Sequence, residues 1–340
     1  MTADFRSDTI TKPTPEMYDA MAHAELGDDV LGDEPTVQRL QGLAAQTTGK
    51  EAALFVPSGT MANQIALASH TNAGDSILVE DEAHILYYEC AAPAVIARVL
   101  TRTVSAIDGV VPPREIEKRV LTKSDHTPGT TLLCLENTHN RHGGAVTSVS
   151  LHKEYRTIAD RLGIKIHLDG ARVFNASVAL GVDVREITSQ VDSVSFCLSK
   201  GLCSPVGSLL CGTQEFIAKA HQWRKRLGGA MRQSGILAAC GIVSLETMVE
   251  RLADDHNRAK ELENHCKSLA GLSPLRADTN ILMVDTAQPA TVWCDALESA
   301  GVRCFDVGPN RIRFVTHNDV GDEGVAFTKQ ILSDLAKRLG

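Results

Sequence analysis

The chain has 340 residues, of which 43% are hydrophobic, and its 34 Lys and Arg against 42 Asp and Glu give a net charge of −8. That length exceeds what one hydrophobic core usually serves, so two domains are expected. The acidic balance lacks the basic field that nucleic acid or an anionic membrane requires, which leaves small molecules and further copies of the chain as partners.

The N-terminal stretch MTADFRSDTITKP carries charges where a signal peptide has its apolar segment, and no apolar run approaches the roughly 20 residues that span a bilayer. A cytoplasmic location is the expectation. Nine cysteines stand singly, with no CxxC pair, and several fall inside strand-like runs (Cys134, Cys197, Cys211). They read as small buried hydrophobes in a reducing compartment, so neither disulfides nor a metal site are expected.

From residue 52 onward, strand-like and helix-like stretches alternate, the pattern of an α/β protein. AALFV (52–56) leads into a helical GTMANQIALASH. SILVE (76–80) follows, and TTLLCLEN (130–137) precedes the helical SLHKEYRTIADRLG. KIHLDG (165–170) and VDSVSFCLS (191–199) continue the series. Several of these runs are apolar at nearly every position, as strands become when helices cover both faces of a mostly parallel sheet. After a helical QEFIAKAHQWRKRL, residues 234–269 read as one long or broken helix. TNILMVDT, the helix ATVWCDALESAG, RIRFVTH and a terminal helix then form a smaller α+β unit. The division expected is a large domain over 1–248 and a small one over 249–340, with segment 1–25 partly packed on the small domain.

Three strand ends carry candidate chemistry. In VPSGTMANQ, a strand runs into Ser58, Gly59 and Thr60 and then into a helix, where free amides, hydroxyls and a glycine make a phosphate cradle. A plain helix cap would look the same. In HLDGAR, Asp169 ends a strand at the carboxyl edge, where open α/β sheets bind ligands, and Arg172 follows three residues on. In SVSFCLSKGLCSPVGSLL, Lys200 punctuates two buried runs. Phosphate anchor, aspartate and lysine together match what pyridoxal phosphate needs: a seat for the phosphate, a partner for the ring nitrogen, and an amine for the aldehyde. Gly201 would leave room for the cofactor.

Other positions are weaker. His84, in EDEAHILYY after SILVE, has a ring that can stack on a cofactor or exchange protons near neutrality. His126 lies in the polar loop SDHTPG. Arg313 alternates with apolar residues in RIRFVTH and faces away from that strand's apolar side. In WRKRLGGAMRQSG, Arg224, Lys225, Arg226 and Arg232 gather around glycines, either as a solvated face or as a phosphate contact, with a neighbouring subunit's site as one reading.

The order of motifs FRSDTITKPTPEM, GDDVLGDEPTV, FVPSGTMANQ, CLENTHN, HLDGAR, SFCLSKGLCSPVGS, GGAMRQSGI and RIRFVTH resembles the low-specificity L-threonine aldolases, pyridoxal phosphate enzymes of fold type I. The resemblance implies that Ser58, Gly59 and Thr60 hold the phosphate, Asp169 pairs with the ring nitrogen, His84 stacks on the ring, and Lys200 joins the cofactor. It also implies that Ser7, Arg172 and Arg313 bind the substrate carboxylate. His84 or His126 would lie near the β-hydroxyl. Lys225 and Arg232 would reach a phosphate across a subunit interface, in a dimer or dimer of dimers with shared sites. Two departures stand out: Leu31 replaces the aromatic residue that follows GDDV in the family, and ILYYECAAPA after His84 is unusual.

The activity implied is reversible cleavage of L-threonine or L-allo-threonine to glycine and acetaldehyde. Rival readings are another fold type I activity, such as a racemase or β-eliminating lyase, and a catalytically silent cofactor-binding protein. A nicotinamide enzyme is disfavoured because no G-x-G-x-x-G follows the first strand.

Overall fold

A computed structural model describes all 340 residues. A two-residue strand, β1 (Ala3–Asp4), precedes the strands of the main sheet: β2 (Ala52–Val56), β3 (Ser76–Glu80), β4 (Leu100–Val104), β5 (Thr130–Glu136), β6 (Lys165–Asp169), β7 (Ser193–Cys197) and β8 (Ser208–Gly212). Their spatial order is β2-β8-β7-β6-β5-β3-β4. Only β8 runs antiparallel to its neighbours β2 and β7. The rest pair in parallel, so the ends of β3, β5, β6 and β7 open on one edge.

The sequence explains these elements locally. All five residues of β3, of β7 and of β8 are buried, as required of strands covered on both faces. Helices start where hydroxyls cap them: Ser148 Oγ accepts from Leu151 N, and Thr213 Oγ1 accepts from Phe216 N at 3.2 Å. The helix Val149–Leu162 stops at Gly163, whose φ of 66° suits a left-handed cap. β4 escapes the sequence pattern because its LTRTV is an edge strand with a half-exposed, mostly polar face.

A core of 37 buried residues fills the space between the sheet and its helices and extends to Leu252. The stretch read as one long or broken helix is two helices, Gly235–Thr247 and Leu252–Cys266. Beyond it lie β9 (Leu272–Pro274), β10 (Ile281–Thr286), β11 (Val302–Arg303), β12 (Phe305–Gly308) and β13 (Arg311–Val315). Four of these form an antiparallel sheet in the order β12-β13-β10-β9. A second core of 20 buried residues, with Trp293 and Phe314 at its centre, includes Ala3 and Phe5 from the N-terminus. β1 pairs with β11 there, while Met17 packs in the first core. No helix is long and apolar enough to cross a membrane.

Candidate active site

The ends of β2, β6 and β7 and the segments after β3 and β5 bound a cleft of about 140 Å³, lined by Ser58, Gly59, Thr60, His84, Asp169, Arg172 and Lys200, among others. Distant parts of the sequence meet because the parallel strands all end on this edge. Ser58 caps the helix Gly59–His70, its Oγ accepting from Met61 N at 3.2 Å. The amides of Gly59 and Thr60 therefore stand free at a helix N-terminus, which favours an anion. A Cβ at Gly59 would meet Cys197 Sγ at 2.9 Å, so the glycine also lets the helix start lie close to β7.

Asp169 is 3% exposed. Its Oδ1 accepts from Ala171 N at 3.1 Å, and its Oδ2 accepts from Asn63 Nδ2 at 2.8 Å. Asn63 is held in turn by a buried chain. His167 Nε2 donates to Asn63 Oδ1 (3.1 Å), Ser193 Oγ donates to His167 Nδ1 (2.9 Å), and His70 Nε2 donates to Ser193 Oγ (2.7 Å). An acceptor-only oxygen at one end fixes the order of protons along the chain. Burial pushes the rings down to about 4 for His167 and about 3 for His70, so both are neutral at physiological pH.

Glu89 was not visible as a site residue in the sequence, yet it is buried beside Asp169. It accepts from Asn63 Nδ2 at 2.8 Å, Gln64 Nε2 at 2.5 Å and His84 Nδ1 at 2.9 Å. His84 starts a one-turn helix whose backbone N donates to Glu136 Oε2 at 2.7 Å. Burial alone would lower the His84 ring, but Glu89 and the charge of Asp169 outweigh it and raise it above the ordinary imidazole value. With Nδ1 bonded to Glu89, only Nε2 is left for a substrate.

Lys200 sits half-buried in the loop between β7 and β8, its carbonyl accepting from Thr11 Oγ1 at 3.0 Å and from Cys203 N at 2.9 Å. Gly201 is small for another reason than the one expected: a Cβ there would meet Leu252 Cδ2 at 2.9 Å, and it does not line the cleft. Arg172 is already engaged, its Nε and Nη2 donating to the two oxygens of buried Asp8 at 2.7 and 2.8 Å. Burial would raise Asp8, but Arg172 and Lys200 hold it well below the usual carboxylate range. Arg313 is the freer cation. Its Nη2 donates to Arg6 O at 3.2 Å, its Nη1 meets Asn140 Oδ1 at 3.4 Å, and its buried Nε has no partner.

Neither Arg313 nor the remaining expected residues line the cleft. Ser7 caps the short turn Asp8–Ile10, accepting from Thr9 N at 3.2 Å. His126 is exposed on the turn between Ser124 and Thr127. Lys225 is exposed, and Arg232 pairs on the surface with Asp28 at 2.8 Å. Arg224, read with them as part of a basic cluster, is buried instead, donating to Phe55 O and paired with Asp29. Leu31 is 75% exposed.

This donor set fits pyridoxal phosphate: a helix start for the phosphate, a fixed carboxylate for the ring nitrogen and a lysine for the aldehyde, with an unmatched donor on Arg313 behind cleft-lining Asn140. Fold and site together define a fold type I enzyme dependent on pyridoxal phosphate. Residues 4–289 match the family described as Beta-eliminating lyase. The chain is 43% identical over 336 residues to the probable low-specificity L-threonine aldolase 2 of Arabidopsis thaliana, covering 96% of this chain and 95% of that one. It is 42% identical to the low specificity L-threonine aldolase of Escherichia coli K12, covering 95% and 96%. The threonine aldolase of Leishmania major has the same fold, with a TM-score of 0.88 at 18% identity, covering 98% of this chain and 99% of that one. The chain belongs to the beta-eliminating lyase family and, within it, to the low-specificity L-threonine aldolases.

Proposed function

We propose that the protein cleaves L-threonine, L-allo-threonine and related β-hydroxy-α-amino acids to glycine and an aldehyde, acetaldehyde for threonine. The observation that carries the reading is the convergence of Ser58–Thr60, Asp169, His84 and Lys200 on one cleft in a chain over 40% identical to threonine aldolases. Pyridoxal phosphate, when bound, supplies an aldehyde for the substrate amine and a protonated ring that accepts the electron pair of the breaking Cα–Cβ bond.

The chain's own groups do the rest. Lys200 offers the amine that holds the cofactor and yields its place to the substrate. Asp169, fixed by Asn63, keeps a proton on the ring nitrogen. The helix start at Ser58–Thr60 holds the phosphate. Arg313 receives the substrate carboxylate, and Arg172, tied to Asp8, adds positive charge beside it. His84 Nε2 takes the β-hydroxyl proton. Ser7 shapes the turn that carries Asp8. His126 would act only from a neighbouring subunit or after movement of its turn.

Lys225, Arg232 and Leu31 are exposed, and a second copy that covers them, in a homodimer or dimer of dimers, would complete each site. A cytoplasmic enzyme of glycine formation and threonine breakdown is the setting that suits this chemistry. A coupled assay in which alcohol dehydrogenase reduces released acetaldehyde tests the activity: NADH consumption with L-threonine is expected, and none with cofactor-loaded protein would refute it.

A further inference from the structure

Beside the cleft, and outside the set that the cleavage uses, lies a second buried cluster of ligand-type side chains. Glu80 ends β3, while His139 and His142 lie on the loop that follows β5. The two strands are paired neighbours, so both loops leave the same edge. His139 Nε2 lies 2.8 Å from Glu80 Oε2. His142 Nε2 lies 3.8 Å from Glu80 Oε1 and 3.2 Å from Glu82 Oε2.

Two atoms at the centre of this cluster make no hydrogen bond. The Glu80 side chain is 2% exposed, and its Oε1, like His142 Nε2, is buried without a hydrogen bond. A desolvated carboxylate oxygen is tolerated when it is paired or bound to a metal. A separation of 3.8 Å is too long for a hydrogen bond. An ion held at about 2.0–2.1 Å by each of two tetrahedral ligands sets them about 3.3–3.4 Å apart, so the His142–Glu80 pair closes with a shift of a few tenths of an ångström, and side-chain adjustment would gather the other ligand atoms, which lie within 4.8 Å of one another for Glu80, His139 and His142.

We propose that Glu80, His139 and His142, with Glu82 as fourth ligand, form a binding site for a divalent transition-metal ion of the zinc class. Two imidazoles select zinc, cobalt or nickel over calcium and magnesium, and two carboxylates balance the ion's charge. Loading the ion displaces the Nε2 proton of His139, and the unpartnered Nδ1 then carries that ring's N–H. In the sequence the site is E-x-E at the end of β3 and H-x-x-H in the loop after β5, a spacing that the scattered single cysteines do not reveal.

The ion would act as a structural clip. Between the two histidines lie Asn140, whose Oδ1 meets Nη1 of both Arg172 and Arg313 at 3.4 Å, and Arg141, which donates to the Tyr88 hydroxyl at 3.0 Å. A closed four-ligand site would fix this loop against the cleft without touching substrate.

The test uses untagged, cofactor-loaded protein stripped with chelator and dialysed against Zn²⁺ or Co²⁺. Elemental analysis should find one ion per chain, and Co²⁺ should give the intense visible bands of four-coordinate geometry. His142→Gln, at a quarter-exposed position, should lose the ion while keeping its circular dichroism and cofactor content; Glu80→Gln should lose it too. Wild-type protein with no ion above buffer background would overturn the proposal. So would full stoichiometry in His142→Gln, since the ion would then sit elsewhere, for instance on His84, Glu89 and Asp169.

Discussion

Replacing Glu89 by glutamine tests how the cleft sets the protonation of His84. The carboxylate accepts from His84 Nδ1 at 2.9 Å in a site where the Glu89 side chain is fully buried. A hydrogen bond to a charged group is worth about 1.5–3 kcal/mol, and one pKa unit corresponds to about 1.4 kcal/mol, so the ring should fall by about 1–2 units. The sign follows from the balance at the ring: Glu89 and Asp169 raise it against burial, and without Glu89 burial gains the upper hand. A raised ring keeps its proton to higher pH, so the base form of His84, and with it activity, appears only above that value. The acidic limb of kcat/KM, followed from about pH 5 to 10, reports this group in the free enzyme. In Glu89→Gln the limb should move to lower pH by at least about one unit. A limb that stays in place would refute His84 as the titrating base.

Lys200→Ala should abolish turnover, and borohydride treatment of the wild type should fix the cofactor to Lys200; a label on any other lysine contradicts the assignment. Asp169→Asn should keep the fold, because the side chain has the same shape and its one amide oxygen still accepts from either Ala171 N or Asn63 Nδ2, yet lower kcat by about 10²-fold or more by analogy with loss of an electrostatic contact in other active sites. Arg313→Lys should lower kcat/KM by at least about tenfold, since an ammonium cannot copy the planar fork; an unchanged value removes Arg313 from the carboxylate site. Mixing inactive Lys200→Ala and Arg232→Ala chains under exchange should restore activity if sites are shared between subunits, and none should return, with exchange verified by mass, if Arg232 serves its own chain.

Lys200 and Asp169 were legible because each is a polar residue closing an apolar run, and the topology of a parallel sheet places such ends on one edge. Glu89, Asn63 and Glu136 were not. Glu89 lies in a stretch without periodicity, Asn63 looks like an ordinary helix residue, and Glu136 reads as the last residue of a strand. Their significance is tertiary: Asn63 binds two carboxylates at once, and Glu136 ties His84 N to the loop of Asn140. Arg224 shows the converse, since neighbouring charges suggested a surface and only the fold brings Asp29 and the carbonyl of Phe55 to it. Engagement of Arg172 by Asp8 was equally hidden, because Asp8 sits in a charged N-terminal segment with no pattern of its own.

The most direct measurement is the product balance from L-threonine and the cofactor-loaded protein, followed by NMR. Glycine and acetaldehyde in equal amounts are expected, with the signal lost in Lys200→Ala. Release of 2-oxobutyrate and ammonia in place of glycine would contradict Cα–Cβ cleavage and assign the site to β-elimination.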